Sequence, residues 1–256
     1  MPEQEWKQAA GSKIILIKVL AILAFAILFA VGIQFWLDIE YTDPMFAVAI
    51  LPYEAGFALS SIGLWFFLLR SEVPVKFRYY ASRTNKLVLP LLLVPLIGLA
   101  LSLGLAETID GLLIAKLAVT TVFIGIAEEM YFRGIGFGGF RAAGLSPARA
   151  IIFSALIFSL FHLSNLVSGL GDIVVFQLLN TFLLGLVFGY VYHRTRNLGY
   201  LMLIHFAWDF GSLGMRFQGP QIIHTLVTML MLVMSVGYGI WAMRNILKIK
   251  GTQKHY

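Results

Sequence analysis

The chain contains no cysteine, which excludes disulfides, thiolate metal sites and a cysteine nucleophile, and leaves the redox setting open. Charge is scarce as well. Only 12% of the 256 residues are Asp, Glu, Lys or Arg, against 59% hydrophobic residues, and the mean hydropathy of +0.86 lies far from that of soluble domains. The net charge of +6 has no aromatic-basic surface module to accompany it. Its basic residues are scattered in short segments between apolar runs, which argues against nucleic acid as a partner. There is no HExxH helix, and no inverted repeat of the transporter kind is visible. What remains is a chain made for a lipid bilayer, with carboxylate, imidazole and hydroxyl as its reactive groups.

The apolar runs predict an all-α, polytopic membrane protein with about eight transmembrane helices. The first, about 13–36, is long for a signal-peptide core and is read as a retained span. The second ends at Leu69, with Pro44 and Pro52 both possible helix entries and Glu54 near the membrane interface. The third, about 87–106, carries Pro90 and Pro95. The fourth starts near Gly111, passes through Glu128 and Glu129, and reaches a glycine-rich stretch over 134–139. The fifth follows Ser146 and Pro147, a favourable helix start, and carries His162. The sixth, about 173–192, holds Gly185 and Gly189 at a spacing that permits close helix packing. The seventh starts near Leu198 and carries His205 and Asp209, and the eighth covers about 222–243. The whole chain, 1–256, reads as a single integral membrane domain whose motif core occupies about 111–212.

Charge orients these spans, because Lys and Arg gather in short cytoplasmic loops. Of the 19 basic residues, 17 fall at the N-terminus, in the 70–86 loop that includes Arg78, in the 133–149 loop, in the 193–197 turn or in the C-terminal tail. Alternation puts all of these on one side. The opposite connectors carry Asp38, Glu40, Asp43, Glu107, Asp110 and Asp172, with Arg216. Both termini are therefore expected to be cytoplasmic.

Ionisable groups inside apolar spans are expensive and default to function. Glu129 and Arg133 stand four apart with the acid first, the favourable order for an ion pair on one helix face. Glu128 is turned about 100° away from Glu129 and so faces the bundle interior. If span four stays helical through its glycines, Glu128 lies roughly 20 Å from Arg141, and His162 lies roughly 22 Å from Pro147, which makes them level. His205 and Asp209, about 10 and 16 Å along span seven from Leu198, reach the same zone with modest tilt. A desolvated carboxylate there suits a general base, and an imidazole beside it can share or relay the proton.

Glu128, Glu129 and Arg133 match an EExxxR signature, Phe158 and His162 an FxxxH, and His205 and Asp209 an HxxxN/D. In these three ordered motifs the chain resembles the CPBP family of intramembrane proteases, which includes CAAX proteases and bacteriocin-processing enzymes and is related to type II CAAX prenyl endopeptidases. The resemblance covers about 127–210. It implies that Glu128 and His162 activate the attacking water, that His205 and Asp209 stabilise the oxyanion, and that Glu129 and Arg133 give structural support. One departure is Asp209, where eukaryotic members have asparagine: an amide can donate to an oxyanion and an ionised aspartate cannot. Asp209 must then be protonated, orient His205, or bind a metal. Two histidines with one or two carboxylates could form a zinc set, so Glu128, His162, His205 and Asp209 are also the metal candidates, and the cofactor is either zinc or none.

The expected activity is that of an intramembrane endopeptidase, glutamate-type or metal-dependent, cleaving a membrane-associated or lipidated peptide or protein at a site open toward the cytoplasm. The rival is a non-catalytic membrane protein of the same fold that binds a peptide or partner for immunity or regulation. A small transporter that uses the carboxylates as a proton relay comes third. The expected location is a prokaryotic plasma membrane, with the ER membrane as the alternative.

Overall fold

The computed structural model describes residues 3–37, 39, 40, 43, 45–77, 83–169 and 171–249, with residues 3–10 and Arg83 described by backbone alone. Asp38, Pro44, Arg78 and the tail from Lys250 onward lie outside the described residues. Eight long helices carry the fold: α1 Glu3–Leu37, α2 Leu51–Leu64, α3 Pro90–Gly104, α4 Gly111–Glu128, α5 Pro147–Phe161, α6 Ile173–Thr195, α7 Leu198–Phe217 and α8 Gln221–Leu247. Among the described residues there is no strand, only an isolated bridge between Phe77 and Asn197.

Local chemistry sets several of the helix starts. Asp110 accepts the Leu113 N–H at 2.9 Å and Asn197 that of Tyr200 at 3.1 Å, satisfying amides that the first helical turn leaves open. Proline occupies the first turn of α2, α3 and α5, where its missing N–H costs nothing. Pro95 lies inside α3.

Seven of the eight helices, all but α7, are long and apolar enough to cross a membrane. Their outward faces carry large exposed side chains, among them Phe35, Phe67 and Phe176 at 74–82% exposure. Only lipid makes such a surface cheap. The α7 helix is less apolar because it carries the third motif and three glycines, and it buries that face, including His205, Gly211 and Gly214, against α3 and α4.

The α4 helix does not break at its glycines. It runs on as wide π-helical turns over Glu129–Phe137 and a regular turn over Gly138–Ala142. Continuity keeps Glu128 deep in the bundle. The wide turns are its most tightly packed part, with Tyr131, Phe132, Arg133, Ile135 and Phe137 fully buried. They are pinned from outside: Ser154 Oγ donates to the Phe132 carbonyl at 2.6 Å, and Tyr131 Oη and Ser60 Oγ share a 2.7 Å hydrogen bond.

Two close approaches fix how the motif helices face each other. A Cβ at Gly125 would lie 2.9 Å from the Met202 carbonyl oxygen, so α4 and α7 meet backbone to backbone one turn before Glu128. A Cβ at Gly185 would lie 2.9 Å from that of Ala155, which seats α6 against α5 as the glycine spacing predicts. The small residues let each pair of helices approach until polar side chains on different helices reach one another.

Candidate active site

Glu128, His162, His205 and Asp209 line one cavity of about 270 Å³. They come from the end of α4, the turn that follows α5 and the middle of α7. Glu128 and His205 are buried, and the side chain of Asp209 is 26% exposed.

His205 is the hub. Its Nδ1 lies 2.8 Å from Glu129 Oε1, and its Nε2 lies 3.5 Å from Glu128 Oε2 and 3.4 Å from Asp209 Oδ2. Both ring nitrogens therefore face carboxylate oxygens, which ionised carboxylates can offer only as acceptors. The ring orientation is set by Glu129 from behind, and Nε2 is turned into the cavity.

The expected ion pair is present. Arg133 Nη1 meets Glu129 Oε1 at 2.9 Å, with both side chains fully buried. Arg133 Nε and Nη2 have no hydrogen-bond partner in the protein, but the guanidinium lies over the Phe158 ring at 4.2 Å and the Phe188 ring at 5.2 Å. Aromatic faces offset part of the cost of a buried cation. Glu129 thus has a second task that its spacing from Arg133 does not reveal: one oxygen holds both the brace and the catalytic-motif histidine.

His162 stands where α5 gives way to 3₁₀ turns over His162–Leu166. Its own N–H turns back to Ser159 and Leu160, which leaves the Phe158 carbonyl to accept from His162 Nδ1 at 2.9 Å. A proton on Nδ1 leaves Nε2 as the acceptor nitrogen. The edges of Phe158 and Phe161 pack around the ring, with centroids at 5.0 and 5.4 Å.

Glu54 was not assigned to the site by sequence. It lies in the first turn of α2 and lines the cavity, and its Oε2 is buried without a hydrogen-bond partner. An acid within the apolar run of α2 was the available signal, and the undecided helix entry between Pro44 and Pro52 obscured it.

The cavity is lined by the ends of α1, α5 and α7, the starts of α2 and α6, and Asp43, all at the end of the bundle that bears the acidic connectors. Toward the basic loops it is floored by His205 and, behind it, the packed turns that hold Glu129 and Arg133. At the mouth Gln34 bridges elements, donating to Asn165 Oδ1 at 2.8 Å and Ser164 Oγ at 3.1 Å, while Asn165 Nδ2 donates to Gln177 Oε1 at 2.8 Å.

The zinc reading is not supported by this donor set. Among the described residues no three His, Asp or Glu side chains form a group that could hold a metal ion. Nδ1 of His162 and of His205 is engaged by the Phe158 carbonyl and by Glu129, and the carboxylates of Glu128 and Asp209 face His205 Nε2 at 3.5 and 3.4 Å.

Residues 110–211 match the family described as Type II CAAX prenyl endopeptidase Rce1-like. That segment runs from the cap of α4 into α7 and carries all three motifs. The match supports a protease of the CAAX/CPBP family, as the resemblance of the motifs implied. No curated protein gives a significant match to the sequence.

Proposed function

Taking that family match as the premise, we propose that the protein is an intramembrane endopeptidase that hydrolyses a peptide bond of a membrane-associated peptide or protein, using Glu128 as general base. The observation that carries the reading is the convergence of Glu128, His162, His205 and Asp209, from three helices, on one cavity within a lipid-embedded bundle.

The chemistry follows from the hydrogen bonds. Glu128 takes a proton from a water molecule whose other hydrogen is accepted by His162 Nε2, and the water oxygen bonds to the peptide carbonyl carbon. The carbonyl oxygen becomes an oxyanion. His205, protonated on both nitrogens, donates Nδ1–H to Glu129 and offers Nε2–H to that oxyanion. Asp209, 3.4 Å from Nε2, keeps the ring in place before the substrate carbonyl displaces it as acceptor. Collapse of the intermediate breaks the carbon–nitrogen bond, and the proton held by Glu128 passes to the departing amine. Of the three tasks open to Asp209, orienting His205 fits this geometry best.

The test is cleavage of membrane-associated peptides by the purified protein in lipid nanodiscs. Glu128→Gln and His162→Asn are expected to lower kcat by about 10²–10⁴-fold, the usual worth of a positioned acid–base group, without changing thermal unfolding. Cleavage that survives both substitutions would overturn the roles of Glu128 and His162, and no cleavage by the unaltered protein would favour the non-catalytic, peptide-binding reading. The same reading takes 1–256 as one membrane domain, in a prokaryotic plasma membrane.

A further inference from the structure

We propose that Glu54 is the specificity-determining residue of this cavity, where it receives a cationic group of the substrate: a lysine or arginine side chain or a free amino terminus. The proposal rests on the endopeptidase reading only for the statement that the bound chain is also cut.

The lining chemistry is lopsided. Four carboxylates, Asp43, Glu54, Glu128 and Asp209, face the cavity, and among the described lining residues there is no lysine or arginine. Three of the four are answered within the protein. Asp43 Oδ1 accepts the Met45 N–H at 2.7 Å, and Glu128 and Asp209 flank His205 Nε2. The fourth has no such answer. Glu54 Oε2 is buried with neither a hydrogen bond nor an ion pair; Asn180 Oδ1 and Glu128 Oε2 on the same cavity also lack a hydrogen bond, though Glu128 Oε2 faces His205 Nε2 at 3.5 Å.

Buried acceptors without donors select for a ligand that brings donors. An ammonium or guanidinium has donors only, so it suits such acceptors, whereas a carboxylate has none and would stand among like charges. A buried polar group gains most from the partner that completes it, which makes the preference one of charge and not of size. The approach is complementary too. Glu40, Glu107, Asp110 and Asp172 lie in the connectors at the mouth end, and a field of that sign raises the local concentration of cations.

The test separates binding from cleavage. Three acetylated and amidated Leu/Ala decapeptides that differ only at one central position, lysine, norleucine or glutamate, are titrated into the Glu128→Gln protein in nanodiscs, with and without Glu54→Gln or Glu54→Lys. The lysine peptide is expected to bind about ten- to a hundred-fold more tightly than the norleucine peptide, the range of a hydrogen bond to a charged group. Glu54→Gln should erase that difference, and Glu54→Lys should transfer the preference to the glutamate peptide, a gain that a misfolded protein could not show. Equal affinity for the three peptides, or a lysine preference that survives Glu54→Gln, overturns the proposal. Charge-selective binding by a protein that cuts none of the peptides in its Glu128 form would instead overturn the endopeptidase reading and leave the recognition role of Glu54 standing.

Discussion

Glu129 Oε1 lies 2.8 Å from His205 Nδ1 and 2.9 Å from Arg133 Nη1, so a single carboxylate oxygen joins the brace of α4 to the imidazole of α7. Glu129→Gln removes the negative charge from a fully buried arginine, which costs about 3–5 kcal/mol when such a pair is broken on one side. Expression and thermal unfolding temperature in detergent should both fall. Replacing the pair together, Glu129→Gln with Arg133→Met, should recover most of the stability but not the activity, because the amide oxygen accepts from His205 Nδ1 without the negative charge that favours the protonated ring. Full activity in the double variant would show that Glu129 serves the brace alone.

The backbone contact at Gly125 is the second support of the site. In Gly125→Ala the new Cβ meets the Met202 carbonyl oxygen at 2.9 Å, and neither backbone can give way easily. The cost is expected to be about 1–3 kcal/mol, as for other overpacked cores, with α4 and α7 pushed apart and His205 drawn from Glu128. Gly237→Ala is the control, since nothing lies within 4 Å of its Cβ. There the ordinary helix preference for alanine should raise stability by about 0.5–1 kcal/mol. The thermal unfolding temperature and the cleavage rate should both fall for Gly125→Ala and both stay level or improve for Gly237→Ala.

The positions of the basic loops and of the cavity mouth together predict that substrate enters from the non-cytoplasmic side. The absence of cysteine makes this easy to measure. Asp43→Cys, an exposed position on the cavity rim, should react with a membrane-impermeant maleimide in intact cells, whereas Ser71→Cys, next to Arg70 in the opposite loop, should react only after permeabilisation. The reverse pattern would place the mouth in the cytoplasm.

On that opposite side Lys18 Nζ reaches Glu72 Oε1 at 3.1 Å and the Leu68 carbonyl at 3.2 Å, joining α1 to the end of the second span. The Ser71 hydroxyl and then Lys18 hold the Glu72 carboxyl below its ordinary value of 4.5 by hydrogen bonding to the ionised form. A depressed carboxyl contributes stability above its unfolded value, and that contribution is lost as pH falls through the lower folded value. Both partners are about one-third exposed, so the worth is below about 1 kcal/mol. Glu72→Gln should lower the unfolding temperature slightly near pH 7, and the difference should close as the pH is taken well below 4.5. A difference that is constant with pH would assign the effect to packing.

Much of this protein follows from its sequence alone, and the reason is covalent. Membrane spans are set by the number of consecutive apolar residues, and the Glu129–Arg133 pair by the rise of a helix, so neither needs knowledge of neighbours. Whether His205, 76 residues away, meets Glu128 or Glu129 depends on the rotation and tilt of α7 against α4. Those are decided by the contact at Gly125 and by the wide turns after Glu128. Tertiary structure alone also put Glu54 on the cavity and decided which carboxylate oxygens face each nitrogen of His205. Each of these is a relation between helices, and no periodicity within one helix encodes it.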